Sequence, residues 1–195
     1  MEVPLSKIIS GTFDIQAFGA EMKAEQEKVF QQKKKQEAMM AAIKPLTDAN
    51  AKKDYKRVMD EYNKLTIADP SFKGMLQQYY YTALIHLDPE KSYKEAVLVK
   101  DSARNAAVIA KIFAMEEGLD KKFYTYAIDF YEGQPANMFD LPYIAGAYFN
   151  FGHIAKAVKA QQEWIDKMKT VTSPAPAEYV EKEMERLKKY KASLE

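Results

Sequence analysis

The chain has no cysteine in 195 residues, which excludes structural disulfides, thiolate zinc sites and cysteine nucleophiles within it. Histidine is nearly as scarce. His86 and His153 are the only two, and neither opens an HxxxH or HxxE spacing, so no metal-ligating pattern is present. There is no GxSxG elbow, no GxGxxG turn and no Walker-type loop, and so nothing that points to a serine hydrolase or to nucleotide binding. No apolar run approaches the ~18 residues of a membrane-crossing helix. Neither sign of charge prevails: 29 basic and 28 acidic residues leave a net +1, too little for a whole-chain field that recruits nucleic acid or anionic membrane. The only basic run, Lys33 to Lys35, reads as a solvated helix face. The opening MEVPLSKIISG has no signal-peptide core, so the segment is expected to be mature, cytosolic or cut from a longer protein. Missing cysteine does not itself fix the compartment.

Glycine (7) and proline (8) are few, while Ala, Lys, Glu, Gln and Met abound, and strand-like alternation is hard to find. Side chains of that kind lose little rotamer freedom in a helix, so an all-α fold is expected. Residues 1–13 read as the end of a preceding helix (Leu5, Ile8, Ile9) stopped by Gly11, with Thr12 or Asp14 free to cap the next one. A long, partly exposed helix should run from about Ile15 to Ile43, with a break at Pro45 and the polar stretch Thr47 to Lys53. Asp54-Tyr55 opens a helix with Val58, Met59, Tyr62 and Leu65 inward, ending at Asp69-Pro70. Phe72 to Leu87 follows and closes at Asp88-Pro89. Ser92-Tyr93 opens the next, with Ala96, Val97 and Ala103 inward. Then come Asn105 to Glu117, ended by Gly118, and Asp120 to Tyr131, broken at Gly133 to Pro135.

Pro142 to Met168 carries the clearest signal. It reads as two helices folded across Gly152, with Ala145, Ala147, Ala155 and Ala157 where backbones approach and Tyr148, Phe151, Val158 and Ile165 filling the apolar face. After the turn at Ser173 to Pro176, a charged terminal helix, Glu178 to Leu194, points Tyr179, Met184, Leu187 and Tyr190 inward and serves as a cap. The segments DYKRVM and SYKEAV begin at Tyr55 and Tyr93 less one residue each and stand 38 residues apart, near the ~34 of a tetratricopeptide repeat.

Tyr148 to Ile165 resembles a tetratricopeptide hairpin: small and aromatic residues in the first helix, Gly152 at the turn, Ala157 in the second. Trp164 departs from the pattern, and the earlier hairpins are degenerate. A second resemblance spans nearly the whole chain. VPLSKIISGTFD, a charged helix, hairpins around GLDKKFYTYAIDFYEG and AYFNFGHIAKAVKAQQEWIDKM, and the final cap resemble the region that follows the thioredoxin fold in redoxin-type (TlpA-like) thiol–disulfide oxidoreductases. Gly11, Thr12, Phe13 and Asp14 match the junction. The resemblance implies a C-terminal helical extension without the Cys-x-x-Cys domain, so no redox role falls on any residue here. It also implies a periplasmic or cell-envelope location. A free-standing protein would instead be cytoplasmic.

The expected architecture is a tetratricopeptide-like α-α hairpin array, a short right-handed superhelix. Residues 1–13 form the end of a preceding domain or a linker, and 14–195 the helical-repeat domain, divided into a long helix (14–44), degenerate hairpins (45–172) and a cap (173–195). Glu116, Glu117 and Asp120 cluster at a glycine-marked loop, where solvated acids are expected, and neither Ser102 nor Ser173 has a histidine in view. The aromatics carry the functional expectation. Tyr79, Tyr80 and Tyr81 are consecutive and spread over about 200° of a helix, so at least one ring leaves the core. Phe123, Tyr124, Tyr126, Phe130 and Tyr131 form a second cluster. Both can serve as packing, or as a groove in which tyrosines grip a peptide or a neighbouring domain. The chain is thus expected to be a non-catalytic interaction or scaffold domain with no cofactor and no metal, binding a protein, a peptide or an adjacent thioredoxin-like domain. It is not expected to bind nucleic acid or insert into a membrane, and a homo-oligomer is compatible with it. The alternatives are a free-standing helical-repeat adaptor and a helical protein that binds a small molecule or lipid.

Overall fold

A computed structural model describes residues 14–100, 102–135, 137–172 and 175–194. Among them the fold is all-α, with nine α-helices, one 3-10 turn and no strand. The helices are α1 Ile15–Ala51, α2 Tyr55–Ala68, α3 Phe72–Leu87, α4 Pro89–Leu98, α5 Ala103–Met115, α6 Lys121–Glu132, α7 Leu141–Phe151, α8 Ile154–Met168 and α9 Ala177–Ala192, with the 3-10 turn Met138–Asp140 leading into α7. The expected helix end at Leu5 to Gly11 and the junction residues Gly11 to Phe13 lie outside the described residues, as does Ser173. The chain divides into two compact units, Met1–Asp48 and Ala49–Glu195.

The described part of the first unit is Asp14 and α1 as far as Asp48. Asp14 starts it, its Oδ1 accepting the backbone N–H groups of Gln16 and Ala17. Its exposed middle is tied along its own surface by Glu25–Lys28, Glu27–Gln31 and Lys33–Glu37, pairs worth only a few tenths of a kcal/mol each. The break expected at Pro45 does not occur. The ring takes away only the bond to the Ala41 carbonyl, and the Lys44 ammonium, 2.8 Å from Asp48, spans the proline from one turn to the next. The helix stops at Lys53 instead, which adopts the left-handed conformation (φ 57°). There the N–H of Lys53 reaches the Asn50 carbonyl and that of Asp54 the Ala49 carbonyl.

In the second unit each helix packs on the next from α2 through α4 and from α5 through α9, and α3, α5 and α7 also pack side by side as a continuous layer. One residue turns α3 into α4. Asp88 ends the first helix and accepts from the Lys91 N–H to cap the second, with Pro89 at its first position. This places the start of α4 ahead of the expected Ser92, which is buried inside it. The core is built of ring edges and alanines: Phe113 meets Phe123 at 4.8 Å and 87°, among Ala110, Ala114, Ala127, Ala145, Ala147 and Ala157. A second cluster joins Trp164, Ile165 and Met168 of α8 to Leu187 of α9.

Three inward assignments are corrected. Val97 and Ala155 are exposed, and so is Met184; α9 instead buries Glu183, which is closed in by Arg186 at 2.6 Å and by the Gln161 amide at 3.2 Å. A buried carboxylate with a guanidinium and an amide on it takes the core position that hydrophobicity would have given to methionine.

The backbones of α5 and α7 come close together at Gly146. A Cβ on Gly146 would lie 2.9 Å from the Ala114 carbonyl oxygen and 3.0 Å from the Met115 sulfur. Overpacking of this kind costs about 1–3 kcal/mol, whereas replacing a helical glycine by alanine returns up to ~1 kcal/mol. Gly146→Ala should therefore lower stability, by up to about 2 kcal/mol once the full helix-propensity return is subtracted. Gly19→Ala, on α1 with nothing within 4 Å of the new methyl, should not lower it at all. Thermal unfolding followed by circular dichroism separates the two. A Gly146→Ala protein that melts at or above the parent temperature would show that the approach is not tight.

Candidate interaction groove

Gly146 is the residue that allows the site to form, because the same contact carries α7 along α5 for another turn. Three residues earlier on each helix, the Lys111 ammonium lies 4.6 Å from the centre of the Tyr143 ring. From this floor of Ala107, Val108, Lys111 and Tyr143 an open groove of about 880 Å³ extends between the end of α6, the loop before α7 and the start of α9. Phe130, Tyr131, Phe139 and Tyr179 wall it, and Gln134 and Asn137 supply amides at its edge. Tyr131 lies nearly parallel to Tyr143 at 6.3 Å, and Tyr179 stands edge-on to Trp164 at 5.6 Å, so two of the walls are anchored in the core. Phe139, on the 3-10 turn, is 63% exposed. Asn137 holds that turn by accepting the Phe139 N–H at 3.0 Å.

The electrostatics follow from burial. The Tyr131 hydroxyl is pushed well above its ordinary value, by burial first and then by the Asp140 carboxylate. Tyr179 is pushed up to about 12, by burial first and then by Glu183 and Tyr143. Both phenols stay neutral donors at physiological pH. Asp140 is the one acid on the lining. Burial raises its carboxyl, against the opposing pull of Asn137 and Lys111.

Of the six tyrosines singled out in the sequence, only Tyr131 lines this groove. Tyr124 is 2% exposed, and its hydroxyl is spent inside the chain, accepting from the Leu119 N–H and donating to the Glu116 carbonyl. Tyr81 is buried. Tyr80 is half-buried and donates to the Glu95 carboxylate at 3.0 Å, and Tyr79 is half-buried on the same helix. Tyr126, pushed up to about 12 by burial and by Tyr81 and Tyr93, donates to the Ala96 carbonyl and borders a separate open depression of about 470 Å³ with Tyr93 and Phe130. Packing and backbone hydrogen bonds hold Tyr81 and Tyr124 in the core, and Tyr79 and Tyr80 border neither opening.

The acids near Gly118 have separate tasks. Glu116 meets His86, whose Nε2 is 3.3 Å away and whose ring stacks on Tyr55 at 3.9 Å. Glu117 pairs with Lys189, and Asp120 caps α6. His153 sits in the turn after Gly152, its N–H on the Tyr148 carbonyl. Ser102 precedes α5 without a side-chain cap bond. Among the described residues no group of three or more His, Asp or Glu is placed to hold a metal ion, and no helix is long and apolar enough to cross a membrane. No family model, curated protein or solved structure matches the chain.

A carboxyl raised by burial makes folding less favourable once it ionises. Above the folded-state value Asp140 carries the full penalty, and below the ordinary aspartate value it carries none. Asp140→Asn should therefore raise the unfolding temperature at neutral pH, and the gain should shrink to nothing as pH falls through the folded-state value toward the ordinary one. A gain that is constant with pH, or a loss at neutral pH, would contradict the half-buried placement.

Proposed function

We propose that the chain is a non-catalytic interaction domain that holds an extended protein segment in the groove between α5, α6, α7 and α9. One observation carries this reading: an open groove of about 880 Å³ lined by five aromatic rings, of which Phe139 stands 63% exposed beside rings anchored in the core. Large rings with few rotors, fixed from behind, are the side chains that dominate binding energy at protein interfaces. Small-molecule sites bury most of their ligand, whereas this groove is open along one side and suits a chain lying across it. The resemblance to the region after the thioredoxin fold gives the domain a setting. It would be the helical extension of a thiol–disulfide oxidoreductase, offering its groove to a client, a partner or a second subunit. Asp14, which belongs to the matching junction and caps α1, fits that setting.

Selection of random seven-residue displayed peptides on the full chain tests the reading. Enriched peptides should lose roughly tenfold in affinity against Phe139→Ala. They should keep their affinity against Leu98→Ala, which removes a still more exposed apolar side chain that lies at the end of α4 and outside the groove lining. Equal binding to the parent and to Phe139→Ala would place the binding surface elsewhere.

A further inference from the structure

We infer that Gln161 and Glu183 are positioning residues of the groove: their buried contact sets the rotation of α9 on α8 and so keeps the Tyr179 ring in the wall. This deepens the proposed peptide-binding reading and rests on it. α9 meets the core through a face with a carboxylate at its middle. Glu183, Leu187 and Tyr190 are buried, and Tyr179, Val180 and Arg186 flank them half-buried. With about 100° of turn per residue, Tyr190 and Tyr179 lie about 20° and 40° to one side of Glu183, and Leu187, Val180 and Met184 about 40°, 60° and 100° to the other. The centre of the apolar side chains thus lies on the Met184 side of Glu183. Apolar burial therefore favours turning α9 toward the exposed Met184, and that turn also carries the Glu183 carboxylate toward water. The same turn takes the Tyr179 ring away from Trp164, and its hydroxyl away from that of Tyr143.

One side chain of α8 holds the helix against that turn. Gln161 is wholly buried, and its amide nitrogen donates twice to the same residue of α9, at 3.2 Å to Oε2 of Glu183 and at 3.3 Å to its main-chain oxygen. A side chain that meets both the carboxylate and the backbone of one residue fits one rotation and one height of α9. The neighbouring positions, Lys182 and Met184, offer it no carboxylate. The contact has a cost, since Gln161 Oε1 is buried without a hydrogen-bond partner. The Arg186 guanidinium closes the other carboxylate oxygen at 2.6 Å, but it sits on α9 and turns with it, so it fixes nothing between the helices. A buried polar contact in an otherwise apolar seam is suited to fixing register. What depends on that register is Tyr179, one turn before Glu183 on the same face and part of the groove lining.

Gln161→Leu in the full chain tests this with three readouts. They are the emission of Trp164, the only tryptophan; peroxide oxidation of Met184 by mass spectrometry, with the exposed Met40 as reference; and affinity for a labelled heptapeptide enriched by selection on the parent chain. Trp164 emission should shift to the red, Met184 should oxidise about threefold more slowly than in the parent, and affinity should fall about threefold to tenfold. Gln161→Leu combined with Glu183→Leu makes both partners apolar and should return all three readouts to parent values. Gln161→Asn, one methylene short of the contact, should act in the same sense as Gln161→Leu and takes its place should that protein not fold. Parent-like emission and oxidation in the single variants overturn the inference. Faster oxidation of Met184 with lost affinity also overturns it, because α9 has then come off α8 instead of turning. If emission and oxidation change as expected and affinity does not, Tyr179 is no part of the binding wall; the inference falls, and the groove stands if Phe139→Ala still weakens the peptide. If selection on the parent chain enriches no peptide, the groove reading falls and this inference with it.

Discussion

The second unit depends on one steric constraint: α7 can lie against the end of α5 only because Gly146 has no side chain. With the backbones that close, other groups come into range. The Asn150 amide, one turn beyond Gly146, donates to the Ala114 and Glu116 carbonyls at 3.1 and 3.4 Å. Ala114 belongs to the last turn of α5 and Glu116 follows its end, where carbonyls have no helical partner of their own. The Tyr124 hydroxyl takes the Glu116 carbonyl from the other side and receives the Leu119 N–H, which stitches the α5–α6 turn. In the opposite direction along the same contact, Tyr143 is brought over Lys111. The approach thus closes one end of the helix pair with hydrogen bonds and opens the other as the floor of the groove.

That arrangement leaves the rings of the groove held to different degrees. Tyr131, Tyr143 and Tyr179 are backed by the core and by Trp164, so little conformational freedom is lost when a ligand settles on them. Phe139 rides on a three-residue turn held by Asn137. The α7 helix contributes no charge, and the charged groups on the lining are Lys111 of α5 and Asp140.

Much of the helix order could be read from the sequence, because its punctuation is local. Asp54, Asp88 and Asp120 cap helices where acidic residues precede apolar periodicity, and Gly152 takes the left-handed conformation (φ 102°) that ends α7. Pro45 misled because a single proline removes one hydrogen bond, and a helix with good formers on both sides absorbs that loss. The groove was less legible. Consecutive tyrosines draw the eye, yet a hydroxyl that meets a backbone carbonyl, as in Tyr124 and Tyr126, satisfies a buried ring and retires it from the surface. The residues that do line the groove come from three separate stretches, 107–111, 130–143 and 175–179, and only packing joins them. The available signal was α7 itself. A helix apolar on every side, LPYIAGAYFNF, must be covered all round or leave part of its face for a ligand. The pairing of His86 with Glu116 was hidden for the same reason, being a contact between distant helices.

The central claim is that Gly146 and Asn150 act as one device, and a double-mutant cycle on folding stability tests it most directly. Gly146→Ala, Asn150→Ala and the double variant are unfolded in urea beside the parent. If the added methyl pushes α7 off α5, the amide no longer reaches both carbonyls, and Asn150→Ala then costs less in the Gly146→Ala background than in the parent. The expected coupling is about 0.5–3 kcal/mol. Costs that add to within ~0.3–0.5 kcal/mol, the range for independent sites, would contradict a shared approach.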